Sequence, residues 1–289
     1  MASRRRVSLA TCAQVRQLDP DDAPLVGALA ERGVEAVPAV WDDAGVDWSD
    51  FDLVVIRSTW DYAPRLGEFL GWAKTVPRLA NTYDVVRWNT DKRYLHDLER
   101  AGVPVVPTVF AAPGQAVVLP TTGEYVVKPV VSAGGHDTAR YTTDEAPLAA
   151  DHAAALHAMG RTVMVQPYLT GVDVDGESAL LFVGGCYSHS ICKGPLLTGS
   201  DRHVDGLYRE ETISARTADP AELTIAEQAL AAVPGGSQPL LFARVDLLPG
   251  PLGSPLLLEL ELTEPSLFLA HAPEAAERLA DAIVAAAAR

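Results

Sequence analysis

Two apolar stretches near the C-terminus alternate with charge. Leu241, Ala243, Val245 and Leu247 fall on one face of an extended segment, with Arg244 and Asp246 on the other. After a turn over Gly250 to Ser254 the pattern repeats: Leu258, Leu260 and Leu262 point to a core, and Glu259 and Glu261 emerge together on the opposite face. A hairpin built this way gathers three carboxylates and one guanidinium. Like charges on adjacent strands destabilise a sheet, so a cation is expected among them. Oxygen ligands of this kind suit Mg²⁺ completed by nucleotide phosphates. The competing reading is a solvated strand face on which Arg244 neutralises one acid.

Upstream, Val7 to Cys12, Val34 to Trp41 and Asp52 to Ile56 read as strands. They alternate with a helix through Leu25, Val26 and Leu29, opened by Asp19-Pro20 and ended by Gly33. This predicts an open, Rossmann-like α/β unit with parallel strands. It carries no GxGxxG, so a dinucleotide-binding dehydrogenase is rejected. Pro64 opens a second helix, Leu79 to Tyr83 is a short strand and loop, and Thr90-Asp91-Lys92 begins a helix ending at Ala101-Gly102. Strands follow at Glu124 to Pro129, Thr162 to Leu169, Glu177 to Phe182 and Cys186 to Lys193, with a helix over Ala146 to Met159. Leu196 to Glu211 reads as a mobile loop, Asp219-Pro220 starts a helix, and Pro273 to Ala288 forms a closing Ala-rich helix.

The 289 residues, 48% hydrophobic, are expected to form two or three small soluble domains sharing a cleft. A net charge of −15 argues against nucleic-acid and anionic-membrane partners. Any phosphate site must therefore be local. Cys12, Cys186 and Cys192 show no pairing pattern, and the apolar run after Arg4-Arg5-Arg6 is too short for a membrane span. A cytoplasmic protein is expected, with a homodimer left open. The seven histidines form no HxxxH or HxH pair, which excludes zinc as the expected metal. His136 and His189 are read as ligand contacts or as satisfied histidines.

Two further stretches carry candidate chemistry. Arg57-Ser-Thr-Trp-Asp-Tyr62 follows the third strand at the carboxyl end, where open α/β sheets place ligands. Arg57, Ser58, Thr59, Trp60 and Asp61 could grip a small amino acid, Arg57 by its carboxylate and Asp61 by its ammonium. Equally, the loop is a packed corner with Trp60 as a lid and Arg57 paired to Asp61. Lys128 ends a β-rich run before Ser132-Ala-Gly-Gly-His-Asp-Thr138, where two glycines allow close backbone approach to phosphates, or merely turn a hairpin.

In order, Asp91-Lys92, Val127-Lys128-Pro129, Ser132 to Thr138, Gln166-Pro-Tyr-Leu169, Asp173, Arg244-Val-Asp246 and Glu259-Leu-Glu261 resemble the ATP-grasp carboxylate-amine ligases over nearly the whole chain. Asp246 and Glu259 stand 13 residues apart, like the metal pair of D-alanine ligase-like enzymes. The resemblance implies an ATP-grasp fold: a pre-ATP-grasp domain at 1–88, a central lobe at 89–168 and a C-terminal lobe at 169–289, the two α+β lobes enclosing ATP. Lys92 and Lys128 would hold phosphates under a loop containing Ser132, Gly134 and Gly135. Gln166, Tyr168 and Leu169 would meet adenine, and Asp173 the ribose. Asp246, Glu259 and Glu261 would hold two Mg²⁺, with Arg244 on the transferring phosphoryl group.

Two departures stand out: Glu261 replaces a common Asn, and no arginine lies near Asp173, a role that Lys193 could take. Through Arg57 to Tyr62, Gly176-Glu177-Ser178, Tyr187 to Lys193 and Glu261 to Ser266, the chain is most similar to the cyclo-ligases of D-cycloserine biosynthesis. That family closes O-ureido-D-serine onto its own activated carboxylate, releasing CO₂ and ammonia. Glu177 and His189 would then lie at the substrate. The alternatives are a two-substrate, peptide-forming ligase and a non-catalytic nucleotide-binding module.

Overall fold

The structure is a computed structural model describing residues 4–197, 199–202, 204, 206–235, 240–251, 253–272 and 274–289. The chain opens with β1 (Arg5–Thr11), α1 (Ala23–Glu31), β2 (Val34–Val40), β3 (Leu53–Ser58), α2 (Leu66–Thr75) and β4 (Leu79–Ala80). Their four strands pair in parallel in the order β2-β1-β3-β4, as the alternation of strand and helix predicts. β3 is buried on both faces, which explains why it reads as a continuous apolar run.

Next come α3 (Tyr83–Asn89), which the sequence pattern does not predict, and α4 (Tyr94–Arg100). Lys92 therefore precedes its helix instead of lying in the first turn. Its backbone N–H donates to Val130 O at 2.9 Å, tying the residue to the segment that leads into the Ser132 to Thr138 loop. A second sheet holds β5 (Val109–Ala111), β6 (Tyr125–Pro129), β7 (Ala139–Tyr141) and β8 (Val163–Pro167), antiparallel in the order β5-β8-β6-β7. It is covered by α5 (Ala146–Ala158), which packs Ala149, Ala153 and Leu156 against Tyr125 and Val127.

A short α6 (Val172–Asp175) leads into β9 (Glu177–Val183), β10 (Cys186–Lys193), β11 (Ile213–Arg216), α7 (Pro220–Ala231), β12 (Phe242–Pro249), β13 (Pro255–Glu261) and α8 (Ala275–Ala287). The five strands form an antiparallel sheet in the order β11-β10-β9-β12-β13. The closing helix begins at Ala275; its expected start, Pro273, lies outside the described residues, as does His203. One apolar cluster joins the first sheet to the third: Leu9 and Leu29 share it with Leu181, Phe242 and Leu279. Arg32 adds ion pairs to Glu277 and Asp281, both at 2.6 Å, locking α1 to α8.

β12 and β13 pair as the alternation requires, with Arg244 opposite Glu261 and Asp246 opposite Glu259. A bulge then breaks the period: Leu247 faces Leu257, so Leu257 is fully buried and Leu258 turns toward the cleft. Leu258 is thus not the core residue that strict alternation predicts. The free edge of β13 is covered by side chains. Leu260 N–H donates to Tyr94 Oη at 2.9 Å, while Asn89 donates to Leu260 O and accepts from Leu262 N–H, both at 2.7 Å. Asn81, in a left-handed conformation, donates to Phe242 O at 2.9 Å and Leu262 O at 2.7 Å. These amides hold the charged hairpin rigidly against α3 and α4.

Candidate active site

A cavity of about 460 Å³ lies among the three sheets, and the charged face of β12–β13 forms one wall. Each carboxylate there meets a base. Lys193 Nζ bridges Asp246 Oδ2 at 2.8 Å and the Glu177 carboxylate. Arg244 grips Asp246 through Nε at 2.9 Å and Nη2 at 3.0 Å, and reaches Glu261 with the same Nη2. Lys92 Nζ binds Glu259 Oε1 at 3.0 Å and Ser132 O at 3.0 Å. Burial alone would raise the Asp246 carboxyl, but Arg244 and Lys193 outweigh it and hold the group at about 2. Glu261 is pushed up to about 7, burial prevailing over Arg244.

Lys128 also lines the cavity. Among the described residues this lysine, 8% exposed, has no hydrogen bond or ion pair, and burial pulls its pKa down against the opposing charge of Glu259. Around it the loop over Ser132 to Thr138 is docked on the segment at 206–211. Arg209 N–H donates to Gly134 O at 3.1 Å, and His136 Nε2 meets Leu207 O at 3.1 Å. Gly134 has φ +63°, and a Cβ there would sit 2.1 Å from Leu207 O, so only glycine fits. The segment expected to be a mobile loop is therefore, over its described residues, a strap across the phosphate loop.

At the other end, Gln166, Tyr168 and Leu169 line the cavity at the close of β8. Asp173 accepts from Tyr168 Oη at 2.5 Å and lies 3.4 Å from Arg140. That guanidinium stacks over the Tyr168 ring at 3.6 Å and pairs with Glu124 at 2.5 Å. An arginine does lie near Asp173, contributed by β7, 33 residues upstream. Lys193 is committed to Glu177 and Asp246 and is not its substitute.

The corner after β3 divides. Trp60 and Tyr62 line the cavity, Trp60 with Nε1 donating to Glu264 O at 3.0 Å. Arg57, 2% exposed, is paired to Asp22 at 2.8 Å and lies over the Phe242 ring. Ser58 and Thr59 are fully buried. Asp61 accepts from Trp41 Nε1 at 2.8 Å and from Arg65 at 2.5 Å. None of these four lines the cavity: the core closes over Arg57, Ser58 and Thr59, and Trp41 and Arg65 hold Asp61. His189 is likewise absent from the cavity wall: Nε2 meets Leu267 O at 2.9 Å and Nδ1 meets Ser188 Oγ at 3.0 Å. Residues that line the cavity, and that no sequence pattern marks as site candidates, include Asp19, Asp21, Asn89 and Tyr208; Tyr62 and Glu264, which lie within marked stretches, line it too.

The metal expectation needs adjustment. Among the described residues no three acidic, His or Cys side chains converge as a ready metal cage. All three expected ligands already meet a base: Asp246 meets Arg244 and Lys193, Glu259 meets Lys92, and Glu261 meets Arg244. Asp246 and Glu259, opposite one another and all-oxygen, fit Mg²⁺, which needs only one or two carboxylates when phosphates complete its shell.

Comparison with known proteins agrees with this geometry. Residues 7–81 match a family profile described as D-cycloserine synthetase DcsG, N-terminal domain. The chain is 40% identical over 295 residues to the cycloserine biosynthesis protein DcsG of Streptomyces lavendulae, covering 96% of this chain and 97% of that protein. The chain belongs to the DcsG family. A crystal structure of D-cycloserine synthetase DcsG superposes with a TM-score of 0.89 at 40% identity, over 98% of this chain and 99% of that one. The RimK domain ATP-grasp protein of Sphaerobacter thermophilus, at 19% identity, has a TM-score of 0.66 over 96% and 98% of the two chains. The fold is ATP-grasp. By family and fold, this DcsG relative is an ATP-dependent ligase that forms a carbon–nitrogen bond. Among the described residues no helix is long and apolar enough to cross a membrane.

Proposed function

We propose that the protein closes O-ureido-D-serine to D-cycloserine while ATP is converted to ADP and phosphate. The observation that carries this reading is Lys128 on the cavity wall, a buried lysine that makes no hydrogen bond or ion pair among the described residues and feels Glu259 only through space. A buried unpaired charge is costly, so an anionic ligand belongs there. Lys128 and Lys92 hold the phosphates, and the amides of the Ser132 to Thr138 loop close over them. Gln166, Tyr168 and Leu169 meet the adenine, and Asp173 the ribose. The division into units at 1–88, 89–168 and 169–289 belongs to the same reading.

Asp246 and Glu259 would hold Mg²⁺, which neutralises charge on the phosphates when bound. Arg244, on the cavity wall, is oriented by Asp246, Glu261 and Ser266 O and would meet the transferring phosphoryl group with the donor capacity that is left. The substrate carboxylate attacks the γ-phosphorus, and ADP leaves. The ureido nitrogen bonded to oxygen then attacks the acyl carbon, expelling phosphate and closing the ring. Water removes the carbamoyl group as CO₂ and ammonia. Positioning two ends of one molecule replaces a bimolecular collision and supplies much of the acceleration.

The test is turnover of O-ureido-D-serine with ATP and Mg²⁺ and no added amine, followed by mass spectrometry. The expected result is D-cycloserine equimolar with ADP. If ADP forms only when a separate amino acid or peptide is supplied, the two-substrate ligase takes its place.

A further inference from the structure

The carboxylates of the cavity wall are not equivalent. Asp246, Glu259, Glu261 and Glu177 each have a lysine or arginine partner. Glu264, pushed up to about 8 by burial and then by Glu261, carries little charge at neutral pH. Asp21 differs from these. It lines the cavity from the turn before α1, and like Asp19 and Glu211 on the same wall it has no ion pair among the described residues; it alone of the three has a buried carboxylate oxygen without a donor. Oδ1 accepts a 3.3 Å bond from Ala270 N–H, while Oδ2 is buried with no partner. Its neighbour Asp22 takes Arg57 through Nε, and Arg57 makes no hydrogen bond or ion pair with Asp21.

A desolvated carboxylate oxygen without a donor needs a ligand that brings one. The surroundings favour a compact cation. Trp60 and Tyr208 meet edge to face at 5.1 Å on the wall of the same cavity, and Tyr208 Oη reaches Asp19 Oδ2, two residues before Asp21, at 3.4 Å. Asp19 Oδ1 in turn accepts from Asp21 N–H at 3.0 Å, fixing the turn. Aromatic faces and a carboxylate together recognise an ammonium group.

We propose that Asp21 is the specificity-determining residue that anchors the α-ammonium of the amino-acid substrate, in the end of the cavity walled by Trp60 and Tyr208. This rests on the reading of the cavity as an amino-acid site. Asp21 takes the role that the sequence pattern suggests for Asp61, whose oxygens are already engaged. The strap that carries Tyr208 also docks on Gly134, so the ammonium pocket and the phosphate loop share one covering element.

The test uses the full chain and Asp21→Asn, which keeps an acceptor for Ala270, with Asp21→Ala as a second variant. KM for O-ureido-D-serine should rise about 10- to 100-fold, with KM for ATP unchanged. The inhibitor 3-(ureidooxy)propanoate, which lacks the amine, should bind wild type and Asp21→Asn equally. An unchanged KM, or equal loss with both compounds, overturns the proposal. Calorimetry with D-serine and 3-hydroxypropanoate makes the same comparison without ring closure. A wild-type preference for D-serine that vanishes in both variants supports Asp21 even if the ring-closing reading fails. The same preference in all three proteins, or none in wild type, rejects it.

Discussion

The hairpin β12–β13 and the corner after β3 look alike in sequence: each sets arginine and acids at the end of an apolar strand. In the folded protein they do opposite work. The hairpin charges share one sheet face, meet bases along the cavity and stay open to a ligand. In the corner, Arg57 is sealed against Asp22 and Asp61 against Trp41 and Arg65, leaving Trp60 and Tyr62 on the cavity wall. A charged strand end becomes a site when its side chains open onto a cavity. It becomes structure when the core closes over them.

The largest effect expected from breaking the hairpin is on activity. Asp246→Asn removes the anion shared by Arg244 and Lys193 and should lower kcat by about a thousandfold or more. Glu177 and Glu261 still partner the two bases, so far-UV circular dichroism should be unchanged. Loss of the fold in place of loss of rate would make the hairpin a structural network like the corner.

Breaking the corner should do the reverse. Arg57→Met leaves Asp22 buried and uncompensated, at a cost of about 3–5 kcal/mol measured by urea unfolding. The kcat/KM of the protein that remains folded should be unchanged. A specific rise in KM for the amino acid would return Arg57 to the substrate.

A third experiment sharpens the contrast from outside both regions. His152 is buried under Tyr141 Oη at 3.1 Å, and burial lowers its pKa to about 4. Its folded pKa is below the unfolded value of about 6.5, so the unfolded chain takes up the proton first. Stability is then fully present above pH 6.5 and declines as pH falls toward 4, by about 3 kcal/mol at most. His152→Gln should flatten that slope, read by urea unfolding across the window. An unaltered slope would place the acid sensitivity elsewhere.

The smallest effect concerns Lys128. Lys128→Ala should weaken ATP binding about 10- to 100-fold, and amino-acid binding little, by calorimetry. Unchanged ATP affinity would remove the phosphate from that wall.

What is legible in the sequence follows from range. Period-two alternation is local, so it suffices to set Arg244, Asp246, Glu259 and Glu261 on one face of the hairpin. The parallel first sheet is equally visible, because strand and helix periods alternate within short windows. The bulge that turns Leu258 outward is not, since a bulge is a property of two paired strands. Nor are Arg57–Asp22, Arg140–Asp173 and Tyr208–Trp60, pairs separated by 35, 33 and 148 residues, whose partners only the folded chain brings together. The amides of Asn81 and Asn89, which bind the hairpin's backbone, look like ordinary loop and helix-end residues in the sequence.

The central claim is that the substrate's own carboxylate is phosphorylated in this cavity and then captured by its own nitrogen. O-ureido-D-serine labelled with ¹⁸O in both carboxylate oxygens tests it directly, by mass spectrometry of phosphate and product after turnover with unlabelled ATP in unlabelled water. One ¹⁸O per turnover should appear in phosphate and one should remain in the ring carbonyl of D-cycloserine. Phosphate free of label would contradict the account.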